Sequence, residues 1–157
     1  MEWLADLQGK VVGLDTAPLI YFIEENPMYL TTVRPFFEAM DRGELTVVTS
    51  MVTLLEVLVH PFRHNDIDLA QQYRDILLYT EHLTTFELSQ DIAEEAARLR
   101  ARHNLRTPDA IQLATVIHAN ASIFFTNGDR YPSVPGLGLF VLDELIRKLQ
   151  SGHPPSP

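Results

Sequence analysis

Apolar residues recur along this chain with two different spacings, and their alternation predicts short strands separated by helices. Val33, Phe36, Phe37 and Met40 have the i, i+3, i+4, i+7 spacing of one helix face, whereas short continuous apolar runs are typical of buried strands. The predicted strands are residues 10–14, 45–49, 84–88, 122–126 and 138–142. The predicted helices are residues 18–24, 31–42, 51–59, 67–79, 90–102, 108–120 and 143–149. We therefore expect an α/β fold, with a mainly parallel sheet of about five strands covered by helices on both faces.

Capping residues mark two of these helix starts. Ser89 is a candidate N-cap followed by Asp91 in the first turn. Thr107 is interpreted as a second N-cap, followed by Pro108 and Asp109. Strand 84–88 is expected at an edge of the sheet.

Length and composition indicate a single domain. The chain has 157 residues without a repeat or internal linker, so we expect one domain over residues 1–150 and a flexible Pro-rich tail over residues 151–157.

The absence of cysteine excludes disulfide scaffolds, cysteine-bound zinc and thiol nucleophiles. The first residues carry acids where a secretory signal carries Lys or Arg, and no apolar stretch approaches the ~20 residues that span a bilayer. We expect a cytoplasmic protein.

The net charge constrains any function that involves phosphate. With 12 basic and 21 acidic side chains the formal charge is −9, opposite in sign to a simple nucleic-acid coat protein. Tight, sequence-independent coating of nucleic acid is therefore disfavoured.

Four acidic residues are expected near one edge of the predicted sheet, where ligands of open parallel sheets bind. Asp15 ends the first strand, Asp129 lies just beyond the fourth, Asp109 starts a helix, and Glu56 interrupts the apolar run 52–59. Each acid alone has an ordinary explanation as a turn, cap or solvated residue. Their joint placement makes them a candidate site.

Converging carboxylates need a counter-ion. Two unit charges ~4 Å apart at an effective dielectric of ~20 repel by about 4 kcal/mol. An all-oxygen site without cysteine or paired histidine suits Mg²⁺ or Mn²⁺. Such an ion can activate water and stabilise the charge that develops on a phosphodiester.

Four motifs, in order, resemble those of PIN-domain ribonucleases of the VapC toxin type. They are residues 11–20 (VVGLDTAPLI), 49–58 (TSMVTLLEVL), 105–114 (LRTPDAIQLA) and 124–131 (FFTNGDRY), the last followed by VPGL at 134–137. The resemblance covers about residues 11–145. It implies a three-layer α/β/α sandwich, Mg²⁺- or Mn²⁺-dependent endoribonuclease activity, a VapB-like antitoxin that blocks the cleft, and a homodimer.

The resemblance also assigns roles to individual residues. It implies that Asp15, Glu56, Asp109 and Asp129 are catalytic residues and metal ligands, and that Thr16, Thr126 and Arg106 contact the RNA substrate. One position departs from the family pattern. An acid or polar residue usually follows Thr-Asn directly, whereas here Gly128 holds that position and Asp129 comes one residue later. In an ungapped alignment the fourth ligand is either lost or replaced by Asn127, and three acids remain.

Two other classes of phosphate-handling protein also begin from an Asp at the end of a strand. Aspartyl-phosphate phosphatases need a second Asp two residues after the first, where this chain has Ala17. A phosphoacceptor signalling domain needs a Lys on a late strand, but the only lysines here are Lys10 and Lys148. Neither class fits. A PIN-like module with weakened catalysis, binding RNA or a protein partner, stays open because of Gly128. Arg98, Arg100, Arg102 and Arg106 could grip RNA phosphates, although surface pairing with nearby glutamates is the simpler explanation.

Overall fold

A five-stranded sheet lies at the centre of the computed structural model, which describes residues 2–128 and 130–152. Its strands are β1 Val11–Leu14, β2 Thr46–Ser50, β3 Leu83–Phe86, β4 Ile123–Thr126 and β5 Gly138–Val141. The strand order is β3-β2-β1-β4-β5, and every neighbouring pair is parallel. The predicted parallel sheet, with its third strand at an edge, is confirmed.

Helices cover both faces of this sheet. They are α1 Glu2–Ala5, α2 Thr16–Ile23, α3 Leu30–Asp41, α4 Met51–Arg63, α5 Ile67–Tyr79, α6 Gln90–Arg102, α7 Thr107–His118 and α8 Leu142–Ser151. Successive strand residues point to opposite faces, so Phe125 and Val47 pack in one apolar core while Phe124 and Val48 pack in the other. The first core holds side chains of α1 to α5 and α8, and the second holds those of α6 and α7. The predicted three-layer α/β/α architecture is confirmed.

Many element boundaries differ from the predicted ones by one to four residues. The short helix α1 was not predicted, and α4 continues to Arg63 through Pro61. The assignment of Thr107 as an N-cap was wrong: Arg106 has the extended N-cap backbone, and Thr107 is the first helical residue. This arrangement is possible because the fixed φ of Pro108 suits the first turn of a helix. At the carboxyl end α8 includes Ser151, the first residue of the predicted tail, and residues 153–157 lie outside the described part of the chain.

None of the helices formed by residues 2–128 and 130–152 combines the length and the apolar character that spanning a bilayer requires.

Candidate active site

Asp15 lies at the carboxyl end of β1 and is nearly fully buried, with 1% of its surface exposed. Its Oδ1 accepts a hydrogen bond from the Thr16 backbone N–H at 2.9 Å and so caps α2. Its Oδ2 accepts from the hydroxyl of Thr126 at 2.7 Å and from Nη2 of Arg130 at 2.9 Å. Asp15 is thus a helix cap, which is the ordinary role of an Asp after a strand, and it is also part of a charged cluster.

Asp109 reaches the same cluster from the first turn of α7, and it is also buried. Its Oδ1 lies 2.9 Å from Nε of Arg130, while its Oδ2 lies 3.4 Å from Nε of Arg106. The hydroxyl oxygen of Tyr131 lies 3.1 Å from Asp15 Oδ2 and 3.4 Å from Asp109 Oδ1. Two carboxylates from distant parts of the chain therefore share one guanidinium and one phenol.

The Tyr131 phenol stays a hydrogen-bond donor in this environment. Burial raises its pKa, and the negative charges of Asp15 and Asp109 raise it further. Removing the phenolic proton would place a third negative charge beside two carboxylates.

Glu56 approaches the cluster from α4 and is more exposed than the two aspartates. Its Oε1 accepts a hydrogen bond from the Thr16 hydroxyl at 3.0 Å. Partial burial raises the pKa of Glu56, and the nearby charges of Asp15 and Asp109 raise it as well, against the opposing effect of the Thr16 hydrogen bond. The structure therefore brings three of the four candidate acids together, and the fourth, Asp129, lies outside the described residues.

A buried polar network lies beside these acids, and its central residue, Gln112, was not among the predicted site residues. Gln112 on α7 is almost fully buried; its Nε2 donates to the Thr53 hydroxyl at 2.5 Å and to the Thr16 hydroxyl at 3.3 Å. Its Oε1 accepts from the hydroxyl of Ser50 at 3.0 Å. Gln112 interrupts the apolar run of α7 just as Glu56 interrupts that of α4, so the same signal could have found it.

The remaining candidates have different surroundings. Asn127 donates from its amide to the Tyr21 hydroxyl at 3.2 Å and accepts the backbone N–H of Asp143 at 3.0 Å, so both ends of its side chain are tied to α2 and α8. Thr126 is fully buried and its hydroxyl binds Asp15, so we assign it to holding that carboxylate. Arg106, with 76% of its side chain exposed, can reach solvent beside Asp109.

The arginines that precede α7 do not form one patch. Arg98 pairs with Glu95 at 3.0 Å, as the simpler explanation predicted, and Arg100 donates to the carbonyl oxygen of Leu105 at 3.0 Å. Among these, Arg106 is the arginine that contacts a candidate site residue.

The donor set fits a hard divalent cation in its chemistry. Asp15, Glu56 and Asp109 supply carboxylate oxygens alone, and their three charges outnumber those of Arg130 and Arg106, so the cluster retains an excess of negative charge. In the described part of the chain, however, no three acidic or histidine side chains are grouped as a finished metal site. The Arg130 guanidinium lies against both aspartates instead.

Comparison with known proteins gives a match to one family model. The model of the PIN domain matches residues 12–137, which is most of the chain. No curated protein matches the sequence.

Solved structures share the fold. VapBC2 from Rickettsia felis, bound to a DNA fragment from the promoter, matches with a TM-score of 0.65 and 19% identity over 83% of this chain and 98% of that chain. A toxin–antitoxin complex from Klebsiella pneumoniae matches with a TM-score of 0.60 and 25% identity over 80% and 94%. VapC20 from Mycobacterium tuberculosis, a toxin that cleaves the sarcin–ricin loop, matches with a TM-score of 0.61 and 16% identity over 72% and 86%.

Proposed function

This chain belongs to the PIN domain family, and from that membership we propose that it is a metal-dependent endoribonuclease, the toxin of a toxin–antitoxin pair. The observation that carries the proposal is the convergence of Asp15, Glu56 and Asp109. These acids come from three separate segments, and the Tyr131 hydroxyl lies within 3.4 Å of both aspartates. Such a cluster of oxygen ligands supports a site for Mg²⁺ or Mn²⁺.

Each residue of the site has a defined task in this proposal. Asp15, Glu56 and Asp109 hold the cation, and Asp129 is the proposed fourth ligand. The chemistry that a bound Mg²⁺ or Mn²⁺ supplies is the activation of water and the stabilisation of charge on the phosphodiester. Thr126 and the Thr16 backbone N–H orient the carboxylate of Asp15, and the Thr16 hydroxyl orients that of Glu56.

The substrate and partner follow from the same resemblance. Because VapC20 cleaves the sarcin–ricin loop, an RNA substrate is the reasonable proposal here, with exposed Arg106 binding a phosphate beside Asp109. Because the matched structures include VapBC and other toxin–antitoxin complexes, we also propose a VapB-like antitoxin. A basic side chain of that partner would complement the acidic cleft. A homodimer is proposed as well, and light scattering after gel filtration would test it.

The proposed activity is tested by RNA cleavage in the presence of Mg²⁺ or Mn²⁺. Asp109→Asn should reduce cleavage by about 100-fold or more, because a ligand carboxylate is lost. Asp91→Asn is the matched control, since Asp91 also lies in the first turn of a helix but is exposed on α6. Circular dichroism would verify that both variants fold. Equal cleavage by wild type and Asp109→Asn would refute the assignment.

A second candidate function is a PIN-like binding module with weakened catalysis. The placement of Arg130 against Asp15 and Asp109, together with Gly128 at the usual acidic position, favours it. Titration of Mn²⁺ by calorimetry separates the two functions. Absence of binding with the ion in large excess would support the binding module.

A further inference from the structure

The guanidinium of Arg130 bridges both buried aspartates of the candidate site. Its Nε lies 2.9 Å from Asp109 Oδ1, and its Nη2 lies 2.9 Å from Asp15 Oδ2. The same group lies over the Tyr131 ring, 4.8 Å from the ring centroid, at a distance suited to a cation–π contact. Two different nitrogens of one planar cation thus neutralise carboxylates that would otherwise repel each other.

The oxygens that Arg130 occupies are those that a cation would need. Asp15 Oδ2 accepts hydrogen bonds from Thr126 and Arg130 and lies 3.1 Å from the Tyr131 hydroxyl, while Oδ1 caps α2. A carboxylate oxygen with these partners has little capacity left for another cation. A divalent ion close to the guanidinium would also be repelled by its positive charge.

The Arg130 side chain nevertheless has a route to solvent. Its side chain is 38% exposed, whereas those of Asp15 and Asp109 are 2% and 8% exposed. A long side chain with a solvent-facing route can withdraw its charged end into water while the two carboxylates stay in place.

Gly128 provides the space for this arrangement. A Cβ built on Gly128 would lie 2.3 Å from Nη1 of Arg130, far inside van der Waals contact. Any side chain at this position would therefore displace the guanidinium. Residue 128 is also the position at which this chain departs from the acidic or polar residue of the resembled motif. The departure and the bridging arginine are two parts of one structural feature.

We propose that Arg130 is an internal counter-ion that competes with a divalent cation for Asp15 and Asp109, so that cation binding requires release of the guanidinium. This inference rests on the proposed metal-dependent function. If the bridged arrangement is populated about 90% of the time, the apparent cation affinity is reduced roughly tenfold. Arg130 and Gly128 would then set the affinity of the site without contacting the bound ion.

The test is Mn²⁺ binding by calorimetry to wild type and three variants. Arg130→Met removes the bridge and should tighten binding about tenfold. Gly128→Ala displaces the bridge while keeping its charge, and should tighten binding several-fold. Arg106→Met is the matched control, because it removes a positive charge 3.4 Å from Asp109 without breaking the bridge, and should change affinity by less than about threefold.

A second readout uses the cation-free protein. Without Arg130 the two buried carboxylates lose their shared counter-ion, so Arg130→Met should melt at a lower temperature than wild type in EDTA. Saturating Mn²⁺ should raise its melting temperature by more than it raises that of wild type. If Arg130→Met does not fold, Gly128→Ala still tests the competition.

The possible results separate this inference from the proposed function. Suppose that wild type cleaves RNA, and that Arg130→Met and Gly128→Ala bind Mn²⁺ no more tightly than wild type does. The inference is then overturned, while the proposed nuclease function is retained. An equal gain in Arg106→Met overturns it too, since charge rather than bridging would then explain the effect. Absence of Mn²⁺ binding in every variant overturns both proposals.

Discussion

Gly13 lies in the middle of β1, two residues before Asp15, and offers a sharp test of how the sheet and α7 are fitted together. A Cβ built on Gly13 would lie 2.3 Å from Cγ1 and 2.8 Å from Cβ of Val116 on α7, and 3.2 Å from Cδ1 of Phe124. Ordinary contacts between carbon atoms are about 3.5–4.0 Å. The substitution Gly13→Ala therefore forces α7 and the strand apart, because rotating the Val116 side chain can move Cγ1 but leaves its Cβ at 2.8 Å.

The expected net effect is a loss of about 2 kcal/mol in the free energy of unfolding. Overpacking a buried site costs about 1–3 kcal/mol. The upper part of that range applies because Val116 is fully buried and its β-branched side chain has one strongly preferred rotamer in a helix. Alanine lowers the entropy of the unfolded chain relative to glycine, which offsets about 0.4–1 kcal/mol of the loss.

The assay is urea unfolding at equilibrium, followed by the fluorescence of Trp3, the single tryptophan, which is buried. Gly138→Ala in β5 is the matched control, because the nearest atoms to its added Cβ are Ile123 Cγ1 and the Ser122 carbonyl oxygen, both at an ordinary 3.7 Å. It should be neutral or stabilising by up to about 1 kcal/mol.

A double-mutant cycle with Val116→Ala makes the test stricter. Removing Cγ1 eliminates the 2.3 Å contact but leaves the contact with Cβ at 2.8 Å, so the rescue should be partial. We expect the double variant to be more stable than the sum of the two single losses by about 1 kcal/mol or more. Equal stability of Gly13→Ala and Gly138→Ala, or strictly additive losses in the cycle, would refute the steric argument.

Two further predictions concern the site. Gln112→Leu leaves the hydroxyls of Thr16, Thr53 and Ser50 without their shared partner, and should lower the free energy of unfolding by about 1–3 kcal/mol in the same urea assay; an unchanged value would contradict a structural role of the network. Because the pKa of Glu56 is raised, its protonation on acidification begins at a higher pH than for an ordinary Glu, and Mn²⁺ affinity should weaken from that pH downward. Calorimetry across pH 5–7 should find that Mn²⁺ affinity changes less with pH in Glu56→Gln than in wild type. An equally steep dependence in both proteins would contradict this prediction.

Local sequence patterns were sufficient to predict most of the elements. The apolar spacing of residues 67–79 predicted α5 with its observed bounds, and Ser89 caps α6 as expected, accepting a hydrogen bond from the Ile92 backbone N–H. The run 84–88 was expected at an edge, and β3 lies there. These features depend on residues close together in the chain, which is why the sequence alone could predict them.

The candidate acids could be selected from the sequence because the topology of a parallel sheet brings strand ends to one edge. Asp15 follows β1 directly, and Glu56 interrupts an apolar run, so both were visible as local departures from the pattern. The contacts among them were not visible. No spacing rule relates Arg130 to Asp15 and Asp109 or predicts that one guanidinium reaches both.

The sequence by itself therefore determined the order of strands and helices, the two apolar faces and the acids near the sheet edge. Only the tertiary structure decided that Gln112 holds the hydroxyls under Glu56, and that Gly128 leaves the space in which Arg130 bridges Asp15 and Asp109. Helix and strand periodicity arises from hydrogen bonds and side-chain spacing within a few residues. The placement of a side chain between residues distant in sequence depends instead on packing distances of a few ångströms, which are set once the layers assemble.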